Sequence, residues 1–233
     1  MRHMIHDEIE VLLEQQPLLT KSEDDSGLKI SGKYKICNQL EDEVFEDHFS
    51  LEIFIPANFP EDIPTVRSTD GRIRSNNYKE HVYENGQFCL EIDTVIIEFL
   101  YENPSLLSFL TRYLNPYLVG FLFYQKHKRL PFGEHQHGII GLMDYYCKLF
   151  EISDKKTAFT MLSCLFTDSL KGHILCPCES GKRYRNCHRD RIEALKSSKL
   201  FEKYRSDFEF IVAESHKYIS SLNHISESSL KEL

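Results

Sequence analysis

The sequence predicts an α+β protein: an N-terminal helix, an antiparallel meander sheet, a cysteine-bearing loop and a helix, then a helical extension with a metal knuckle. Three observations predict this. VFEDHFSLEIFIP (44–56) places Phe45, Phe49, Leu51, Ile53 and Ile55 on one face with charged residues largely on the other, the period of two that marks a half-buried antiparallel strand. Residues 2–16 and the stretch from Pro104 onward repeat apolar residues at helical spacing. CPCESGKRYRNCH (176–188) gathers three cysteines and one histidine within 13 residues. Strands grouped in front and helices behind make an α+β chain.

Along the chain, Met4, Ile5, Ile9, Leu12 and Leu13 form the apolar stripe of the first helix. Pro17 and the polar stretch KSEDDSG (21–27) are expected to break it. LKISGKYKIC (28–37) reads as the first strand and 44–56 as the second. PANFPEDIP (56–64) carries three prolines and cannot be regular; TVRS after it reads as a short edge strand. Residues 69–93 read mostly as loop, with an Asn85-Gly86 turn, and the apolar stretch after Cys89 as irregular. Pro104 suits a first helical turn, and Pro116 is expected to kink or end that helix. LPFGEHQHG (130–138) is a further loop, followed by a helix through MDYYCKLF. Another helix is expected over 153–171, opened by Ser153 or Asp154, and a last one over about 189–222. Cys37, Cys147 and Cys164 fall on patterned faces and are expected in the core.

With 233 residues, 41% of them hydrophobic, the chain can bury a core of domain size and carry an appendage. No apolar run approaches the ~18–20 residues of a membrane span, and the charged N-terminus does not read as a signal peptide. Seven unevenly spaced cysteines argue against a secreted disulfide framework and for a reducing, cytoplasmic setting. Residues 1–102 hold 22 acidic against 9 basic side chains and residues 103–233 hold 14 against 19. The acidic front argues against binding nucleic acid there; the basic tail leaves a polyanion or an acidic partner open, or simply a solvated face.

ENGQFCLEID (84–93) raises the question of chemistry. Cys89 is either a nucleophile presented beside a turn or a small residue filling the core. The order of elements, with FIPANFPEDIPTV (54–66) and then NGQFCL, whose Cys89 lies 23 residues after Val66, resembles the ubiquitin-conjugating enzyme fold over roughly residues 1–118. The first segment is similar to the family's P-x-x-[YF]-P-x-x-x-P turn, and the second to the N-G-x-[IV]-C-L around its catalytic cysteine. The resemblance implies that Cys89 carries an acyl group as a thioester. One position departs: where the family has the Asn of His-Pro-Asn, eight residues before the cysteine, this chain has His81. A ring N–H there is able to stabilise an oxyanion or serve as a base, or His81 makes a structural hydrogen bond. Glu84, Glu91 and Asp93 are expected to raise the Cys89 pKa, with His81 offsetting them; Asp93 is the candidate for steering and deprotonating an incoming lysine.

LPFGEHQHGIIGLMDYY (130–146) resembles a segment of bacterial relatives in anti-phage operons, beside a nucleotidyltransferase related to cGAS. The resemblance implies that such a nucleotidyltransferase is the protein partner and that its C-terminus is the acyl group carried. Glu134, His135 and His137 are either catalytic or helix-capping. Cys176, Cys178, Cys187 and His188 offer three thiolates and an imidazole, the donor set of a closed Zn²⁺ site. The segment also resembles the SEC-C zinc knuckle. Four ligands leave no open position, so the zinc is expected to be structural. The division expected is 1–118, 119–172 and 173–233. A catalytically weak module that clamps the same partner is the alternative to an enzyme. A papain-like hydrolase using Cys89 and His137 is a third reading.

Overall fold

The computed structural model describes residues 2–74, 81–131, 138–167 and 170–229, with side chains within 5–216 of these. Glu134, His135 and His137 lie outside them. The chain divides into two units, residues 1–135 and 136–233. Among the described residues no helix is long and apolar enough to cross a membrane.

The first unit opens with α1 (Arg2–Gln15), whose Ile9 and Leu12 are buried. Strands β1 (Leu19–Asp24), β2 (Gly27–Leu40), β3 (Glu43–Pro56) and β4 (Thr65–Ser68) then form an antiparallel sheet in the order β1-β2-β3-β4. β2 and β3 pair in unbroken register from Gly27↔Pro56 to Leu40↔Glu43. They turn through Glu41 and Asp42, with Glu41 left-handed at φ 54°. All five apolar residues expected on the core face of 44–56 are buried.

The first helix breaks as expected, α1 ending at Gln15, but the polar stretch at 21–27, not read as a strand, supplies most of β1, in which only Leu19 is buried. Main-chain pairing to β2, as at Lys21↔Ile30, holds an edge strand whose side chains are solvated, so hydropathy carries no period. Cys37 is exposed rather than in the core. Leu28, Ile30, Tyr34 and Ile36 are the buried side chains of β2, and strand parity turns Cys37 to the other face.

After β4 the chain makes a hairpin carrying Cys89 and enters α2 (Asp93–Glu102). The stretch expected to be irregular is therefore helical, and Thr94, Ile96 and Leu100 are buried along it. α3 (Leu106–Phe109) is capped by Ser105, whose Oγ accepts from Ser108 N at 3.1 Å, so Pro104 precedes the cap instead of sitting in the first turn. The helix continues through one widened turn, in which Asn115 N donates to Leu110 O, into α4 (Asn115–His127). Pro116 falls in the first turn of α4. The wider turn absorbs the donor that Pro116 lacks, so the helix is not ended there. α4 then lies on the sheet. Phe121 meets Phe49 edge-on at 5.9 Å, Phe123 meets Phe45 at 5.9 Å, and Tyr34 donates to Asn115 Oδ1 at 2.7 Å. Residue 118 lies inside this helix.

The second unit contains α5 (Gly138–Phe150), α6 (Lys155–Ser163), α7 (Arg189–Lys196) and α8 (Phe201–Ser229). Asp154 caps α6 as expected, accepting from Thr157 N at 2.7 Å, but α6 ends at Ser163 rather than 171. The single helix expected over 189–222 is two helices. Ser197 Oγ donates to Glu193 O and Ser198 Oγ accepts from Leu200 N, local bonds that compete with the helical ladder. Tyr146 on α5 donates at 2.8 Å to Asp207 on α8, a buried carboxylate also held by Lys203 at 3.1 Å. Cys164 is buried, and Cys147 half-buried.

Candidate active site and metal centre

The Asn85-Gly86 turn folds residues 81–89 into a small hairpin. Tyr83 N donates to Gln87 O at 2.8 Å, Gly86 N to Tyr83 O at 2.9 Å, and Cys89 N to His81 O at 2.8 Å. Gly86 has φ 82°, the left-handed conformation that this turn requires. Asn85 Oδ1 accepts from Gln87 N at 3.0 Å and locks it. Phe88 N donates to Val66 O, which lays the hairpin along β4.

Val82 and Phe88 pair and are both buried, and Phe88 stacks on Tyr117 of α4 at 4.7 Å. Neighbouring positions point the opposite way in extended chain, so Tyr83 and Cys89 share the outward face. The structure thus brings Cys89 to a half-buried position, neither fully enclosed nor free in solvent.

Sequence reasoning missed Tyr83, whose side chain hydrogen-bonds the Cys89 thiol. Its signal was parity: it lies six positions before Cys89, with the turn between them. His81 is tied to Cys89 through its main-chain carbonyl, which also accepts from Tyr117 Oη at 3.1 Å. The His81 ring lies edge-on to the Tyr117 ring, 6.4 Å between centroids. Asp93 is the first residue of α2, where its charge favours the helix N-terminus. Cys89 precedes that helix rather than opening it.

Burial pushes the Cys89 thiol above its ordinary pKa, and the charges of Asp93 and Glu91 add to the shift, while the Tyr83 hydrogen bond opposes it. The thiolate is therefore the minor form at neutral pH. Alkylation of Cys89 by iodoacetamide, followed by peptide mass, is expected to run slower at pH 7 in the native protein than in the urea-unfolded chain. Its rate should keep climbing above pH 9. A native rate that levels off below pH 8 contradicts this environment.

In the second unit, the Cys and His side chains of the C-terminal motif converge. The ligand atoms of Cys176, Cys178, Cys187 and His188 lie within 4.8 Å of one another. Cys178 Sγ and Cys187 Sγ are 3.5 Å apart, and His188 Nδ1 lies 3.2 Å from Cys187 Sγ and 3.5 Å from Cys176 Sγ. Sulfurs sharing one tetrahedral zinc lie ~3.8 Å apart, given Zn–S bonds of about 2.3 Å. The knuckle is shaped by Cys176 N donating to Lys182 O at 2.8 Å and by Gly181 at φ 74°. His188 Nε2 lies 2.9 Å from the Phe150 carbonyl at the end of α5. That bond places the ring proton on Nε2 and leaves the Nδ1 lone pair facing the sulfurs, the outer contact that metal-bound histidines make. Donor set and ring orientation both fit Zn²⁺, which these four residues would hold. Arg191 Nη1 donates to Leu149 O at 2.7 Å and Nη2 to Glu151 Oε1 at 2.7 Å. Histidine and arginine thus cap the C-terminus of α5 together, a tertiary link that motif spacing does not encode.

Neither a curated protein nor a solved structure matches the chain. Residues 175–190 match the SEC-C motif, and this segment is a SEC-C knuckle whose Cys₃His cluster is compatible with a zinc site.

Proposed function

We propose that this chain is a ubiquitin-conjugating-like acyltransferase that carries the C-terminus of a partner protein as a thioester on Cys89. The observation that carries the reading is the placement of Cys89: half-buried on the outward face of a turn-locked hairpin that follows a four-stranded meander. The resemblance of residues 54–66 and 85–90 to that family supports it. A thioester keeps an acyl group activated towards amines. In the loading step the Cys89 sulfur bonds the carbonyl carbon of an acyl group already activated as a thioester. The donor's C–S bond breaks, and the thiol proton leaves with the departing sulfur. In the second step an amine bonds that carbon, the Cys89 C–S bond breaks, and Cys89 recovers a proton. Asp93, the first residue of α2, steers the incoming lysine.

The resemblance of residues 130–146 supports a cGAS-like nucleotidyltransferase in anti-phage signalling as the partner. The zinc knuckle is a structural element of the same protein. One observation favours the weaker alternative, a module that clamps such a partner: burial and acidic neighbours hold the thiol protonated. Co-expression with a cGAS-like nucleotidyltransferase separates the two. The acyltransferase reading expects a conjugate on a non-reducing gel that disappears with dithiothreitol. Stable co-purification with no conjugate, unchanged by Cys89→Ala, supports the clamp.

A further inference from the structure

The thioester reading leaves open which group stabilises the charge that develops on the acyl oxygen, given the absence of the family's Asn at position 81. Resting on that reading, we infer that Tyr83 is a catalytic hydrogen-bond donor whose hydroxyl, bonded to the Cys89 sulfur at rest, passes to the acyl oxygen as that sulfur attacks.

Four observations carry it. Hairpin register puts Tyr83 and Cys89 on one face, with their neighbours Val82 and Phe88 buried on the other. The Tyr83 hydroxyl donates to the sulfur once the thiol is ionised, since the bond favours the thiolate and disfavours the phenolate. Tyr83 is 49% exposed, so its ring forms a wall of the site that an incoming polypeptide can reach. Burial, the Cys89 sulfur and Asp93 all act to keep the phenol proton in place, so Tyr83 donates and does not serve as a base.

The geometry follows from covalent connectivity. Once sulfur bonds the carbonyl carbon, the oxygen gaining charge is only two bonds from that sulfur. A donor already held at the sulfur reaches it by turning its O–H. Asp93 and Glu91 oppose negative charge here, as their effect on the thiol shows, so an oxyanion formed at this place needs a fixed donor. Tyr83 keeps its proton throughout; the thiol proton leaves with the departing sulfur.

Two assays on the intact protein test this. One follows uptake of acyl by Cys89 from a short peptide mercaptoethanesulfonate thioester, read by intact mass. The other follows iodoacetamide alkylation of Cys89, which attacks a saturated carbon and develops no oxyanion. Tyr83→Phe is expected to lower acyl uptake on the order of 100-fold, the loss typical of one oxyanion donor. Alkylation is expected to fall by about 10-fold at most, one pKa step of the thiol. Equal losses in the two assays, or no loss of acyl uptake, overturn the role of Tyr83 and leave the thioester reading standing. A wild-type protein that alkylates at Cys89 but takes up no acyl overturns the thioester reading, and the role of Tyr83 with it.

Discussion

Stripping the metal with a strong chelator is expected to unfold the second unit while the first keeps its cooperative thermal transition. The reasoning is one of magnitude. Structural zinc contributes about 10–16 kcal/mol of apparent binding free energy in small zinc domains, whereas a whole domain is stable by roughly 5–15 kcal/mol. Here the four candidate ligands reach beyond their own loop. His188 holds the Phe150 carbonyl, and Cys176 and Tyr184 of the knuckle are buried in the unit's interior. Without a cation, burial pushes the Cys176 thiol up to about 12, so the three sulfurs cannot all ionise in place. Cys187→Ser should reproduce chelation. Arg191→Ala should keep the metal yet speed amide exchange around residues 149–152, because it removes only the second cap on α5. Hydrogen exchange by mass spectrometry reads both. Unchanged protection of α5 and α7 after chelation contradicts a structural metal. The first unit's buried cluster, from Ile9 to Phe123, is built from its own residues and is expected to persist.

Cys89→Ala is expected to abolish the conjugate and leave stability within about 1 kcal/mol, since the side chain is half-buried and the change removes one sulfur. Cys89→Ser is the more telling variant. An alcohol is a far weaker nucleophile than a thiol, so loading should slow by orders of magnitude. Any conjugate that forms is an oxygen ester, which reducing agents do not cleave. A serine variant whose conjugate still vanishes with dithiothreitol places the acyl group on another cysteine, Cys37 being the exposed one.

Much of the fold was legible because its long elements carry strong periods. β3 alternates over its length, and α1 and the helical stretch from Leu106 to Leu118 repeat apolar residues at helical spacing. What escaped were elements held by something hydropathy does not record. β1 is held by main-chain pairing, so its polar side chains read as a breaker. In α2, Asp93 is followed by Thr94, Val95, Ile96 and Ile97, β-branched residues of modest helix propensity that obscured a helix fixed by burial of its inner face. Pro116 signals an end, and only the widened turn before it explains why none occurs.

The two sites were legible to different depths. The four metal ligands could be read from spacing, because a short knuckle has few ways to place them. Their anchor on Phe150 could not, since it joins residues 38 apart in the chain. Cys89 was marked by its turn, but Tyr83 emerges only when hairpin parity is counted out from Gly86.

The central claim is that the Cys89 sulfur accepts an acyl group from another polypeptide. Peptide mass analysis of the wild-type protein, isolated without reductant from cells that also make the proposed nucleotidyltransferase partner, tests it most directly. The account predicts that the peptide containing Cys89 carries the partner's C-terminal residues as added mass, released by dithiothreitol. A Cys89 peptide of unmodified mass, recovered while the two proteins remain bound to each other, contradicts it.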